Sequence, residues 1–584
     1  MLEELIHNGV LIPEPPAARG LVLTIRGQQV PLTPKQEEMA LAWARKHGTP
    51  YLDDRTFVRN FLADFSQALG LEKPLKPSEV EFGPAIGIIE AEREARRRMS
   101  KEERKALAAE RRALREALRE QYGYAITDGQ RVEIANYTVE PSSIFMGRGK
   151  HPLRGRWKEG AQQGEITLNL SPDAPRPSGD WEAIVWQPES LWVACWRDKL
   201  SGELKYVWLS DTAPIKQERE KSKYDQAFEL HAELDTVREQ IRSDLGSPDP
   251  KKRMLATACY LIDALCLRVG DEKNADEADT VGATTLRPEH LTLHGDGTAE
   301  FRFLGKDSVR WHTRVELPET VLQNLSELSE NARPPNTSDN SGNSHPTRDR
   351  PQLFPEVGSR DVNAYLSGIL PGLTAKVFRT HHATVVVQDS LEQSGVEAGD
   401  PEHKKWEAAS LANLEAAILC NHTKQEPASW PASRQRYKER LEKADERITK
   451  ARQKLTEARE ALSALREEAR QARQAAPEAR QERVRARYDK RIERARRRVE
   501  TAQERVQRAL LARGKLRAQA ALARKKRTWN LGTSLKSYVD PRVYCRWGRR
   551  VGYDVLECYY PKALRRRFSW AREEGEGEEE ADAS

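Results

Sequence analysis

The stretch from Pro431 to Arg527 constrains the fold of this chain more than any other feature: it holds 32 Lys/Arg against 14 Asp/Glu, 24 of the cations being Arg. Pro477 separates two long helix-favouring runs within it. So little apolar surface cannot make a globular core, and the pattern predicts an antiparallel helical hairpin, with Tyr437 to Gln474 going out and Glu478 to Arg524 coming back. Leu441, Ile448, Leu455, Leu462 and Leu465 give the outgoing run a seam at near-heptad spacing, and Val484, Ile492, Val499, Val506 and Leu510 give the return its own. Such a hairpin projects from a body. A solvated helical face accounts for any single Arg, but the local balance of +18, against +7 for the whole chain, attracts a polyanion whatever the contacts. Nucleic acid is the first polyanion to consider.

The chain has 584 residues, 38% hydrophobic and 32% charged, which implies several domains. No apolar run nears the roughly 18 residues of a spanning helix, and Met1, Leu2, Glu3 and Glu4 do not begin a signal peptide, so a soluble intracellular protein is expected. The six cysteines (195, 259, 266, 420, 545 and 558) show no zinc or disulfide spacing and read as small buried apolar residues. Residues 1–216 read as α+β, with a hairpin over Leu191 to Leu209 and a mixed-sign helical run from Glu90 to Gln121 that a purely structural role would explain. Residues 217–427 read as mainly helical, interrupted by a hairpin from Glu300 to Leu317 and by a polar insert at 331–351 with the composition of a disordered loop. The basic element occupies 428–527, a small apolar and aromatic unit 528–572, and an acidic tail expected to be disordered 573–584.

The chain lacks GxxxxGK[ST], GxSxG and HExxH motifs and any acidic cluster of two-metal form, so nucleotide- or metal-driven hydrolysis has no support in it. An enzyme acting on DNA then needs a side-chain nucleophile for phosphorus, cations for the phosphate oxygens and a proton donor for the leaving oxygen.

Seven segments carry a family resemblance: IFMGRGKHP (Ile144 to Pro152), LIDALCLRVGDEK (Leu261 to Lys273), ADTVG…LRPEHL (Ala278 to Leu291), FLGKDSVR (Phe303 to Arg310), AKVFRT (Ala375 to Thr380), AILCNH (Ala417 to His422) and LGTSLKSYVDPR (Leu531 to Arg542). In this order the chain resembles the type IB DNA topoisomerases of the eukaryotic type. The resemblance implies a multidomain α+β protein forming a two-lobed clamp around double-stranded DNA. Its parts are a DNA-binding cap lobe (1–216), a catalytic core lobe (217–427) with a mainly α fold of the tyrosine recombinase/topoisomerase IB type, an antiparallel coiled-coil linker (428–527) and a small helical C-terminal domain (528–572).

The resemblance makes Tyr538 the nucleophile, leaving a 3′-phosphotyrosyl link and a free 5′-hydroxyl. It makes Arg268 and Arg379 the two phosphate-binding arginines, whose planar forks suit phosphate oxygens. Lys306, in a turn between strands, becomes the general acid for the leaving 5′ oxygen. His422 follows the helical stripe Leu411, Leu414, Ile418, so the helix C-terminus is expected to favour its protonated form, which would donate to a non-bridging oxygen. Further DNA contacts fall on Arg148, Lys150, His151, Asp307 and Ser537, although the Gly-flanked turn at 147–151 also suits a structural role. No cofactor is implied: resealing conserves the bond energy without ATP, and a divalent metal stimulates at most. One chain carries all five residues, which implies a monomer that relaxes positive and negative supercoils. Nothing in the sequence identifies a protein partner for the acidic tail.

Ser537 stands where the eukaryotic enzymes usually carry Asn, and the match starts almost at Met1, without their Lys-rich extension. These departures favour the cytoplasm or nucleoid of a prokaryotic or viral host, and the nucleus if the host is eukaryotic. Thr384 to Val387 (TVVV) has strand propensity where the family has a helix, and tertiary context is expected to win. A tyrosine recombinase shares the Arg–Lys–His–Arg–Tyr set but lacks the GRGKHP lobe and the long hairpin between His and Tyr. A DNA clamp without catalysis is the other alternative.

Overall fold

A computed structural model describes residues 1–147, 151–271, 280–306, 309–332 and 351–572. The polar insert (333–350) and the acidic tail (573–584) fall outside the described residues, while Asn331 closes a helix. The fold is mostly helical with several small sheets. The helices are α1 (Pro34–Ala44), α2 (Arg55–Ala68), α3 (Gly83–Arg98), α4 (Lys101–Tyr122), α5 (Pro214–Asp244), α6 (Pro250–Leu265), α7 (Glu319–Asn331), α8 (Ser359–Ile369), α9 (Ala375–Glu392), α10 (Glu402–Leu419), α11 (Trp430–Ala475), α12 (Glu478–Lys525), α13 (Leu531–Ser537), α14 (Pro541–Arg550), α15 (Val555–Cys558) and α16 (Lys562–Arg567). None of the described helices is long and apolar enough to cross a membrane.

The chain divides into two compact units, one of residues 1–223, 243–258 and 269–362, the other of 224–242, 259–268 and 363–584. In the first unit Phe57, Phe61 and Phe65 recur every fourth residue of α2 and so share one face, which packs with Trp43 of α1 and Phe82; Trp43 and Phe61 stack at 4.6 Å. Both hairpins anticipated from alternation form: Trp192–Arg197 pairs with Leu204–Trp208, and Thr298–Gly305 with Val309–Glu316. The charged run from Glu90 to Gln121 is two helices rather than one. Ser100 accepts from Glu103 N at 3.1 Å while Glu103 accepts from Ser100 N at 2.7 Å, and this reciprocal cap starts α4 afresh after Met99.

The second unit is built on α9 and α10. Ala408, Ala409, Ala412 and Ala416 give α10 a flat face on which α9, α13 and the terminal helices pack, around Val387, Leu535, Val539, Tyr544, Tyr560 and Phe568. The TVVV stretch lies inside α9, where Ala383 and Val387 are buried; packing overrides its strand propensity. Helices α11 and α12 run antiparallel, bonded across by Arg473–Asp489 at 3.4 Å, Arg491–Glu468 at 3.1 Å and Arg513–Asp445 at 2.5 Å. The seam departs from the sequence reading at one residue. Leu510 is exposed, because the spacing of Val499, Ala502, Val506 and Ala509 carries the inward position past it. The base of α12 is core, with Leu516, Ala518 and Leu522 buried, and a Cβ at Gly514 would come within 2.9 Å of His403 on α10. All six cysteines are free thiols; Cys259, Cys266 and Cys420 are buried, whereas Cys558 at the end of α15 is exposed, contrary to the apolar reading of the set.

Candidate active site

Four of the five residues singled out from the sequence meet in the second unit. His422 is delivered by the way α10 ends. Asn421 adopts a left-handed conformation (φ 51°), Asn421 N donates to Ile418 O at 2.9 Å and His422 N to Ala417 O at 2.8 Å. This is the Schellman arrangement, which satisfies the last carbonyls of α10 and fixes the direction of the next residue. The main chain there is also tied to the segment that follows α12: Lys424 N donates to Thr528 O at 2.8 Å and Asn530 N to His422 O at 2.7 Å. The two ends of the helical hairpin are thereby held together at its root.

Arg379 projects from the first turns of α9 and is buried. Its Nη1 donates to Cys266 O and its Nη2 to Cys420 O at 3.1 Å, so the guanidinium bridges the carbonyl ends of α6 and α10. Partial negative charge at both helix ends favours a cation there. Cys266 itself has φ 50°, a strained conformation for a residue that is neither Gly nor Asn, and its backbone opens the turn that leads from α6 to Arg268. Cysteine is small enough to be buried at this corner.

Tyr538 caps α13, 8% exposed, its N–H donating to Ser534 O at 2.9 Å. Thr384 of α9 brackets the same backbone: its hydroxyl donates to Tyr538 O at 3.3 Å and accepts from Asp540 N at 3.1 Å. Asp540 then caps α14 through Arg542 N at 2.9 Å. The Tyr538 ring lies under the Arg379 guanidinium at 4.9 Å and beside the His422 ring at 5.4 Å, and its hydroxyl is hydrogen-bonded by Arg268.

The electrostatics follow from this crowding. Burial raises the phenol of Tyr538, but the positive charges of Arg379 and Arg268 and the hydrogen bond from Arg268 outweigh it, leaving the hydroxyl more acidic than an ordinary tyrosine. The same two cations act oppositely on His422. Burial foremost, then Arg379 and Arg268, push its imidazole down to about 3. The expectation of a protonated histidine is therefore corrected: loss of hydration and two nearby guanidiniums outweigh the helix dipole, and the ring is neutral. Two buried nitrogens of the cluster, Arg379 Nε and His422 Nε2, have no partner among the described residues. An anion beside the phenol would satisfy the Arg379 N–H, and His422 Nε2 as well when that nitrogen carries the ring hydrogen.

Lys306 belongs to the first unit, exposed where the strand Thr298–Gly305 ends. Phe303 and Trp311 stack across that hairpin at 5.5 Å with 7° between planes, stiffening the support from which Lys306 extends. Arg148, Lys150 and Asp307 fall outside the described residues. His151, also in the first unit, is partly buried; its Nδ1 accepts from Leu153 N at 3.2 Å and its ring meets Phe145 edge-on, while Gly147 (φ 56°) leaves no room for a Cβ, which would lie 2.7 Å from that of His151. Ser537 ends α13, half-buried, next to the tyrosine.

Three residues of the second-unit cluster escape a sequence reading: Ser534, whose Oγ lies 2.8 Å from His422 Nδ1, Thr384, and Cys266 through its carbonyl. Only Ser534 carried a usable signal, since it stands four residues before Tyr538 and so returns to the same helix face.

Comparisons with known proteins extend over most of the chain. Residues 2–209 match the family model for the DNA-binding fragment of eukaryotic DNA topoisomerase I, 212–455 that for its catalytic core, and 513–578 that for the C-terminal topoisomerase domain. The chain is 31% identical over 581 residues to DNA topoisomerase 1 of Homo sapiens, covering 97% of this chain and 70% of that protein. It is 31% identical over 576 residues to DNA topoisomerase 1 beta of Arabidopsis thaliana, of which it spans 58%, and 35% identical over 431 residues to DNA topoisomerase 1 of Candidozyma auris, of which it spans 55%. With this similarity running through almost its whole length, the chain belongs to the eukaryotic DNA topoisomerase I family.

Proposed function

We propose that the chain is a type IB topoisomerase that relaxes positive and negative supercoils in double-stranded DNA. The observation that carries this is the pair of unpartnered buried nitrogens, Arg379 Nε and His422 Nε2, beside a phenol made acidic by two guanidiniums. Tyr538 Oη attacks the scissile phosphorus and releases its proton to solvent water, the bond to the 5′ oxygen breaks, and a 3′-phosphotyrosyl diester replaces the DNA diester. Arg268 and Arg379 hold the charge on the non-bridging oxygens, and His422 donates to one of them as a neutral imidazole. Lys306 supplies the proton to the leaving 5′-hydroxyl, a role that rests on the resemblance of its segment. The free end swivels and then attacks the phosphotyrosine to reseal the strand. One diester is exchanged for another at each step, so the cycle has no need of ATP, and the side chains named supply the acid, the nucleophile and the cations without a metal.

In this reading residues 1–216 form the cap lobe, 217–427 the core lobe with the recombinase-type catalytic fold, 428–527 a coiled-coil linker and 528–572 the nucleophile-bearing domain of a monomeric clamp. Arg148, Lys150, His151, Asp307 and Ser537 contribute DNA contacts, mostly to the backbone, so sequence preference is slight. The enzyme acts on chromosomal DNA, in a nucleoid or a nucleus according to host. The test is supercoiled plasmid with EDTA and without ATP: relaxed topoisomers are expected. Recombination only at paired sites, or binding without relaxation, would overturn the proposal in favour of a recombinase or a passive clamp.

A further inference from the structure

The Ser534 side chain is fully buried, and its hydroxyl has one hydrogen-bond partner among the described residues, His422 Nδ1 at 2.8 Å. An aliphatic hydroxyl with a single neighbour directs its proton at that neighbour's lone pair. Nδ1 therefore accepts, and the one hydrogen of a neutral imidazole sits on Nε2, the buried atom without a partner. The main chain of Ser534 does a second job. Its carbonyl accepts from Tyr538 N at 2.9 Å and from Val539 N at 3.2 Å, closing the turn that presents the nucleophile. One residue thus touches both the histidine that ends α10 and the tyrosine that ends α13, although the helical hairpin separates those two in sequence.

We propose that Ser534 is a positioning residue that sets the tautomer of His422, so that the histidine becomes a donor to phosphate only while the segment carrying Tyr538 is seated. The inference rests on the roles given above to Tyr538 and His422. Without the serine hydroxyl, Nδ1–H and Nε2–H forms of a neutral imidazole compete, and the Nδ1–H form offers a lone pair, not a hydrogen, to the phosphate oxygen. Seating of the nucleophile and arming of the histidine become one event, which guards against a half-assembled site.

The test uses the full chain and a suicide duplex whose short leaving strand makes cleavage irreversible. Single-turnover formation of the covalent adduct is followed for wild type, Ser534→Ala, His422→Ala and the double variant. Ser534→Ala should slow cleavage about tenfold in the wild-type background and less than about twofold in the His422→Ala background, because the serine acts through the histidine. An equal loss in both backgrounds would mean that Ser534 serves only the backbone of Tyr538, and no loss in either would mean that it serves neither; both results overturn the proposal. Nitrogen-15 imidazole shifts give a second readout: His422 should show the Nε2–H pattern in the wild type and a mixture in Ser534→Ala, and a pure Nδ1–H pattern in the wild type would refute the assignment. Should Ser534→Ala fail to fold, Ser534→Cys, with a weak donor of similar size, carries the same two-background comparison with a smaller loss. A wild type that attaches to no DNA would overturn the nucleophile assignment and this inference with it, whereas normal attachment with a fully active Ser534→Ala overturns the inference alone.

Discussion

Arginine is put to opposite uses in two regions of this molecule. On α11 and α12 the guanidiniums stand in water, and many pair with a glutamate one turn away, as Arg497 does with Glu493 and Arg508 with Glu504. Such pairs contribute little to stability and nothing to a fixed geometry. Arg379 is 4% exposed and pinned by two backbone carbonyls, with its Nε left over. The difference teaches that charge density and chemistry are located by different signals. The arm carries a local +18 against +7 for the whole chain, a field suited to any polyanion, while two guanidiniums acidify one buried phenol and add to the burial that keeps one histidine neutral.

The sharpest way to break the comparison is at the nucleophile. Tyr538→Phe should abolish both relaxation and covalent attachment while leaving duplex affinity within about twofold, since only the attacking oxygen is lost. Covalent adducts surviving in a denaturing gel would refute it. Arg379→Lys keeps the charge but cannot bridge Cys266 O and Cys420 O while holding a further N–H ready, so a loss of about 10²- to 10³-fold in cleavage rate is expected. An equally conservative Arg497→Lys on the arm should change that rate by less than about twofold. Lys306→Ala should slow cleavage by about 10²-fold, and a 5′-phosphorothiolate at the scissile bond should restore most of it, because sulfur leaves without a proton. Absence of rescue would remove Lys306 from the acid role.

Shortening the arm gives a smaller and different effect. The cut has to respect the buried base of α12, because deleting Arg434 to Arg524 would remove Leu516, Ala518 and Leu522 from the core. Replacing residues 446–512 by a short flexible connector keeps the Asp445–Arg513 contact and takes away a net charge of +9. The shortened enzyme should still relax plasmid, since Thr528 and Asn530 remain bonded to the segment of His422. It should become distributive at a lower salt concentration and release more supercoils per cleavage event in single-molecule traces, as attraction and drag both fall. Loss of the Tyr538–DNA bond at low salt in a correctly folded variant would show that the arm positions the nucleophile.

Acid stability probes the buried side of the comparison. Burial pushes His7 and His381 down to about 4 and His422 to about 3. Their folded values lie below the unfolded one near 6.5, so the unfolded chain takes up protons first. The stability they contribute is fully present above about pH 6.5 and falls as pH drops towards 4, by about 2 kcal/mol per histidine at about pH 5. Thermal unfolding from pH 7.5 to 4.5 should show this loss, and a flat profile would contradict their burial as neutral rings.

Legibility of the fold and site in the sequence tracked the range of the interaction concerned. The helical hairpin was readable because its charge and its seam are local, and Leu510 was misplaced only because near-heptad spacing leaves the choice between adjacent positions to the packing of Ala502 and Ala509. The Ser100 cap is a four-residue Ser-x-x-Glu pattern that a surrounding run of charge obscures. Tyr538, Arg268, Arg379 and His422 came from segment resemblance; nothing in their spacing announces that they converge. The state of His422 does not follow from the sequence, because a helix dipole is visible along the chain, whereas the burial and the two guanidiniums that overrule it arrive from distant segments. Cys266 O as an arginine acceptor depends on a single backbone angle, and no residue pattern encodes it.

Everything proposed for this site requires that an acidified Tyr538 become bonded to DNA. Wild-type protein trapped on a suicide duplex at low salt, with EDTA and without ATP, can be digested to a peptide–oligonucleotide and sequenced by mass spectrometry. A single phosphodiester should join Tyr538 Oη to the 3′ end of the cleaved strand, with an unmodified 5′-hydroxyl on the released piece. A link through any other side chain, or a 5′-phosphoryl attachment, would contradict it.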